Sequence, residues 1–212
     1  ALDRAARLAA ERPSADNFSR LGAVQGDLGD YQASADSYGR ALALVRDGDG
    51  SDERWTLHLF RAGALEEADR WAESKAEIEA AMRLSPDNAL LLNFLGYGKL
   101  ERGEDLDAAE AMIRRASALR PEDASITDSL GWAQFKRGKV EEAIATLQRA
   151  VDKDPAQAEI REHLGDALYT AGRRIEARFA WRAALVTVDE EAARTRLEAK
   201  IALGLTPANA AP

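Results

Sequence analysis

Two histidines, His58 and His163, are the only imidazoles in the sequence, and imidazole is the side chain whose ordinary pKa best suits proton transfer near neutrality. Nothing at a fixed spacing completes a catalytic set around either. His163, in "REHLGD", reads as a buried or groove-lining histidine with a hydrogen-bonding role. Cysteine is absent, which removes disulfides, thiolate metal sites and thiol nucleophiles. The pairs Glu141-Glu142 and Glu190-Glu191 fall at early turns of expected helices, where the helix dipole favours negative charge, so they read as helix-stabilising. Asp47, Asp49 and Asp52 in "DGDGSDE" are spaced acids of the kind that ligate calcium, yet no glycine falls at the sharp-turn position and no glutamate at the closing one. "GYGKLE" from Gly96 begins like a dinucleotide fingerprint but lacks the last glycine and lies inside a helical pattern. With no nucleophile elbow and no phosphate loop, the residues point away from an enzyme, a cofactor or a metal site, and toward a surface that binds.

Composition narrows what such a surface can bind. The 212 residues are 46% hydrophobic, 6% aromatic and 31% charged, a balance that suits an alanine-rich helical protein able to bury a sizeable core. The formal net charge is -8, so the electrostatic attraction that drives binding to phosphate backbones has the wrong sign, and nucleic acid is not an expected partner. No apolar run approaches the roughly 20 residues that span a bilayer. The opening "ALDRAARLAAERP" is amphipathic rather than a signal peptide.

The elements that must build the surface show themselves through a recurrence. Leu21-Gly22, Leu95-Gly96, Leu130-Gly131 and Leu164-Gly165 stand in similar surroundings. A second glycine follows each pair seven residues later, at Gly29, Gly103, Gly138 and Gly172, where it can take the left-handed cap that ends a helix. Pro86 to Pro121 spans 35 residues, Pro121 to Pro155 spans 34, and Gly131 to Gly165 spans 34 again. Between cap and proline lies a second helix with apolar residues at helical spacing, clearest in Val140, Ala143, Ile144, Leu147, Ala150 and Val151. Each unit is therefore a helical hairpin that ends before a proline. A glycine inside a helix costs about 1 kcal/mol relative to alanine, and the recurrence places that cost where two helices cross and a missing side chain lets their backbones approach.

On these residues the sequence resembles the tetratricopeptide repeat family. Leu92, Leu95, Gly96, Ala109, Ile113, Ala116 and Pro121 carry the match in one repeat, and Thr127, Leu130, Gly131, Ala143, Leu147, Ala150 and Pro155 in the next. A further repeat has Leu164, Gly165, Ala177, Trp181 and Ala184, with Asp189 in place of proline. The first fits through Phe18, Leu21, Gly22, Gly29, Tyr38 and Ala41. The second is weakest, with Arg61-Ala62 in place of Leu-Gly and Asp69 in place of the capping glycine, although Trp71, Ile78, Ala81 and Pro86 keep register. The resemblance implies an all-α, right-handed superhelical solenoid of antiparallel helix pairs. The expected boundaries are a single array over 1–205, with a remnant of a preceding repeat at 1–12, repeats at 15–48, 55–88, 89–123, 124–157 and 158–189, and a capping helix at 190–205. A disordered tail is expected over 206–212, a flexible joint over 47–53, and the chain is expected to be cut from a longer array.

In that family ligand contacts come from the first helix of each repeat. The resemblance therefore implies a peptide-binding stripe of Asn93, Tyr97 and Leu100, then Asp128, Trp132 and Phe135, then Glu162, Asp166 and Tyr169. This reads as exposed aromatics flanked by acids, the composition of a binding hot spot; the competing reading is that Trp132 and Tyr97 pack against the next hairpin. The family's basic clamp for a C-terminal carboxylate is absent, because its positions hold Asn93, Asp128 and Glu162, followed by Phe94, Ser129 and His163. The expected partner is a protein or peptide with an apolar, basic internal segment. The wording of "LNFLGY", "DSLGW" and "EHLGDALYTAGRRIEARFAWRAAL" is similar to the C-terminal repeats of bacterial envelope tetratricopeptide lipoproteins, which implies an adaptor in the periplasm, against a cytoplasmic alternative. A protein-interaction scaffold is the reading these features support. A substrate-recruiting arm of a larger enzyme, or self-association through repeat ends, stand as alternatives.

Overall fold

The computed structural model describes residues 1–45 and 51–211, with residues 51–53 described through their backbone only. The Asp47, Asp49 and Asp52 stretch, weighed as a calcium loop and expected as a joint, lies outside these described residues and side chains. Twelve α-helices and no strand occur among the described residues, so the all-α class holds. They are α1 (Leu2–Glu11), α2 (Ala15–Asp27), α3 (Tyr31–Leu44), α4 (Ser51–Glu67), α5 (Trp71–Leu84), α6 (Ala89–Glu101), α7 (Leu106–Leu119), α8 (Ala124–Lys136), α9 (Val140–Lys153), α10 (Ala158–Thr170), α11 (Arg174–Thr187) and α12 (Glu191–Leu203). The chain divides into two compact units, Ala1–Leu91 and Leu92–Pro212.

In the first unit α2 pairs with α3 and α4 with α5, and α1 lies against α2. The hairpins start where short polar side chains take the first free backbone N–H groups: Ser14 accepts from the Asn17 amide and Asp30 from the Ala33 amide, both at 3.2 Å. The apolar stripes then meet in a core of Ala9, Phe18, Leu21, Ala35, Tyr38, Ala41, Val45, Leu57, Ala64 and Leu65. In the weakest repeat, Asp69 takes the left-handed conformation at φ 57° that glycine takes elsewhere, and Ala62 is fully buried where Leu-Gly was expected to supply the crossing.

The second unit repeats the plan with closer crossings. Asp105 caps α7 and Asp123 caps α8, and α8 pairs with α9 and α10 with α11. At the α8/α9 crossing a Cβ on Gly131 would stand 2.6 Å from Leu147 Cγ and 3.2 Å from the Leu147 backbone nitrogen. At the α10/α11 crossing a Cβ on Gly165 would stand 2.3 Å from the Trp181 indole nitrogen. No side chain fits either gap, and the helical cost of glycine is offset by packing of Leu147 and Trp181, both fully buried. One core joins Ala143, Leu147, Leu164, Leu168, Trp181 and Leu197. A second joins Leu100, Ile113, Leu130, Trp132 and Ala133.

The chain after α12, read in the sequence as a tail over 206–212, is described as far as residue 211. After α12 the chain turns at Gly204, with φ 86°, and runs back so that Asn209 and Ala211 are buried against the second unit. The segment is rich in small residues and carries no charged side chain; its Thr206 and Asn209 amides bond within the segment, and the Ala211 amide donates to Asp166 of α10.

Candidate functional site

The residues expected to form a binding stripe do share one face of the second unit, built by α6, α8 and α10, but most face inward. Trp132 is 1% exposed. Its indole stacks on the His163 ring at 4.1 Å between centroids with 11° between planes, and on Phe135 at 4.9 Å. Its N–H donates to Glu101 Oε1 at 3.0 Å. The packing reading is thus the observed one for Trp132, because a side chain that joins neighbouring first helices is covered from both sides. Tyr97 and Phe135 are half-buried at the margin of the same cluster, and Leu100 lies within it. Asn93 is half-buried, with its Oδ1 enclosed and without a hydrogen-bond partner among the described residues.

The three acids of the stripe are all engaged inside the unit. Asp128 accepts from or shares a proton with His163 Nδ1 at 2.9 Å and 3.0 Å through its two oxygens. Glu162 receives Arg196 in two bonds, Nε at 2.7 Å and Nη2 at 2.9 Å, and Lys200 Nζ at 2.6 Å. Asp166 receives the Trp181 indole N–H at 2.9 Å, Lys200 Nζ at 2.8 Å and the Ala211 backbone N–H at 3.1 Å. Lys200 is completely buried between these two carboxylates. An ammonium removed from water costs several kcal/mol unless paired, and here two carboxylates pair it.

These contacts set the protonation behaviour. Burial works against charge on Glu162, but Arg196 and Lys200 outweigh it and hold the carboxyl below its usual range. Burial raises the Asp166 carboxyl, against the opposing pull of Lys200. At His163 burial disfavours the imidazolium, yet the Asp128 carboxylate outweighs it, with Glu159 and Asp166 acting in the same sense, so its pKa stands above the ordinary value. His163 Nε2 is enclosed, with no hydrogen-bond partner among the described residues.

Tyr169 closes the stripe. It packs tilted against Trp181 at 5.5 Å, with the Arg174 guanidinium 5.6 Å from its ring centre. Its hydroxyl lies where a Cβ on Gly204 would stand, 2.2 Å away, so the turn that follows α12 passes directly over it. Arg196, Lys200, Trp181 and Ala211 thus belong to this face although they are not first-helix residues. The readable signal for Lys200 is its register: Ala193, Leu197 and Lys200 are the buried residues of α12, so a lysine occupies an apolar position. Ala211 gives no comparable signal. Among the described residues no group of three or more His, Asp or Glu is placed to hold a metal ion. No helix of the described residues is long and apolar enough to cross a membrane.

Comparison with known proteins agrees with this architecture. A family profile described as TPR repeat matches residues 131–172. No curated protein matches the sequence. Among solved structures, TTC0263, a thermophilic TPR protein in Thermus thermophilus, is similar at a TM-score of 0.73 and 20% identity, over 89% of this chain and 100% of that one. YrrB, described as a TPR protein with an unusual peptide-binding site, is similar at 0.58 and 18% identity, over 93% of this chain and 99% of that one. A chain of the APC/C hetero-tetramer Cut9-Hcn1 is similar at 0.80 and 17% identity, over 97% of this chain and 40% of that one. The sequence pattern of a TPR repeat is thus matched at residues 131–172, and the fold of solved TPR proteins is shared over nearly the whole length.

Proposed function

We propose that the chain is a protein-interaction scaffold or adaptor, not an enzyme, and that the α6/α8/α10 face of the second unit holds an extended partner segment. One observation carries the reading: the backbone at Ala211 already lies on this face with its N–H on Asp166 Oδ2 and its side chain in the apolar cluster of Leu100, Trp132 and Ala133. A carboxylate oxygen beside an apolar floor recognises backbone without demanding a particular side chain, which is the basis of extended-peptide recognition. The half-buried rings of Tyr97 and Phe135 border that floor and supply contact area. YrrB, similar in fold, is a peptide-binding protein by its description, which supports the same use here.

The chemistry of the partner follows from which groups remain available. Asp128, Glu162 and Asp166, the acids expected to attract a basic segment, are bound to His163, Arg196 and Lys200. The segment is therefore mainly apolar and small, with basic residues favoured only through the overall charge of -8. An adaptor role in the bacterial envelope is the accompanying proposal, supported by the wording of the repeats alone. Calorimetric titration of apolar-uncharged, basic-aromatic and acidic-tailed peptides tests the reading. The first class binds best, and Phe135→Ala weakens it; preferential binding of the acidic tails overturns it.

A further inference from the structure

The last residues of the chain cross the same face along the line that the stripe marks. Gly204 passes over Tyr169 of α10, and Ala211 reaches Asp166 of α10 together with Trp132 and Ala133 of α8 and Leu100 of α6. Between these ends the segment holds its own shape: Asn209 accepts from the Thr206 amide at 2.7 Å and donates to the Gly204 carbonyl at 3.0 Å. The turn is thus maintained by bonds inside the segment, and Asn209 gives none of these bonds to the helices beneath it.

The helices, for their part, depend little on the segment. Asp166 keeps the Trp181 indole and Lys200 as donors when the Ala211 amide leaves, and Lys200 keeps Glu162. What Ala211 covers is a floor of apolar side chains, and its own contribution is a single methyl group. A ligand that forms its own turn, gives one backbone bond and buries one small side chain is weakly held. Because it is tethered to α12, its effective concentration still keeps it in place.

We propose that residues 204–211 are a resident ligand of the α6/α8/α10 face, held reversibly, and that a partner's extended segment with a small uncharged residue and a free backbone N–H at the Ala211 position binds by displacing them. This rests on the reading of that face as the partner surface, and it adds that the face is self-occupied in the free protein. Displacement makes the observed affinity for a partner the intrinsic affinity reduced by the fraction of molecules with an open face.

The test uses a labelled peptide of sequence LTPANAAP, residues 205–212, titrated by fluorescence anisotropy against the full chain and against a variant ending at Gly204. The shortened protein binds the peptide at least about tenfold more tightly than the full chain. A peptide with proline at the Ala211 position, which lacks the N–H, binds about tenfold more weakly than the original. Should the shortened variant lose its helical circular dichroism, Ala211→Arg in the full chain serves instead, since it unseats the segment without removing it. A folded variant that fails to bind the peptide, or one that binds the proline peptide equally well, overturns the proposal. The partner reading is separable. If peptides from the wider panel bind the full and opened proteins equally well, the partner surface stands and displacement falls. If only LTPANAAP binds the opened protein and no panel peptide binds either form, the resident ligand stands and the partner reading of this face fails.

Discussion

Lys200 of α12 sits with its ammonium 2.6 Å from Glu162 and 2.8 Å from Asp166, so that one buried cation joins the last helix to two carboxylates of α10. The pairing explains why a lysine stands on the apolar stripe of α12. It also removes two acids from the set available to a partner. Replacing Lys200 by methionine leaves Glu162 with Arg196 and strands Asp166 among the Trp181 and Ala211 donors. Such a change costs about 3–5 kcal/mol, the magnitude seen when one partner of a buried pair is lost. Urea denaturation followed through tryptophan fluorescence measures it, and an unchanged midpoint contradicts the pairing.

Acid should act on the same joint. The Glu162 pKa is lowered in the folded protein despite burial, because Arg196 and Lys200 favour its charged form. A depressed carboxyl adds stability that is fully present above its unfolded value, about 4.3, and that stability is lost as pH falls through the folded value. The difference between the urea midpoints of wild type and a Glu162→Gln variant is therefore constant from neutral pH down to about 4.3 and narrows only below it. A difference that narrows already between about pH 7 and 5, or that stays constant well below the unfolded value, would falsify the assignment.

His163 carries the opposite dependence. Its folded pKa is raised, so the stabilisation from the Asp128 pair is complete below the unfolded value of about 6.5 and is lost as pH rises through the folded value. Asp128→Asn consequently costs most below pH 6.5 and least in alkaline solution. With only two histidines in the chain, proton NMR resolves each ring, and the His163 signal titrates above the ordinary midpoint. A midpoint below it shows that burial outweighs Asp128.

At the α10/α11 crossing, Gly165→Ala gains helix propensity but drives a methyl into the Trp181 indole, whose nitrogen is fixed on Asp166. The overlap costs about 1–3 kcal/mol against a gain of about 1 kcal/mol. The thermal midpoint therefore falls. Gly131→Ala, where the aliphatic Leu147 side chain from its Cγ outward and not a ring must yield, has the smaller effect. Equal or rising midpoints contradict the crossing geometry.

Gly204→Ala addresses the turn. The new methyl meets the Tyr169 hydroxyl at 2.2 Å and the position has φ 86°, so both packing and backbone oppose it. The segment beyond moves away while the hairpins persist. Unchanged helical circular dichroism with faster amide exchange over 205–211 is the expected pattern. Slow exchange there in the variant contradicts the role given to Gly204.

The hairpin plan was legible because its signals are local. Leu-Gly pairs, capping glycines and prolines recur at a fixed period, and the crossings at Gly131 and Gly165 are where that period placed them. The face was legible only as a set of positions. Trp132 matched a ligand position, but the period does not reveal that His163 of the next repeat covers it. Asp166 looked available for the same reason, since Lys200 lies 34 residues later on a helix outside the repeat pattern. The contacts of the 205–211 segment left no signal, because small uncharged residues carry no hydrophobic period and those contacts are two side-chain bonds of Asn209 and one backbone bond to Asp166.

The Ala211 amide offers the most direct test of the account as a whole, since it reports both the face and its occupant. Its hydrogen exchange, followed by NMR while a binding peptide is titrated into the full chain, accelerates in proportion to peptide occupancy while the amides of α8 and α10 stay protected. A peptide that saturates the protein and leaves the Ala211 amide as protected as before binds somewhere else, and contradicts the claim that this face is where the scaffold holds its partner.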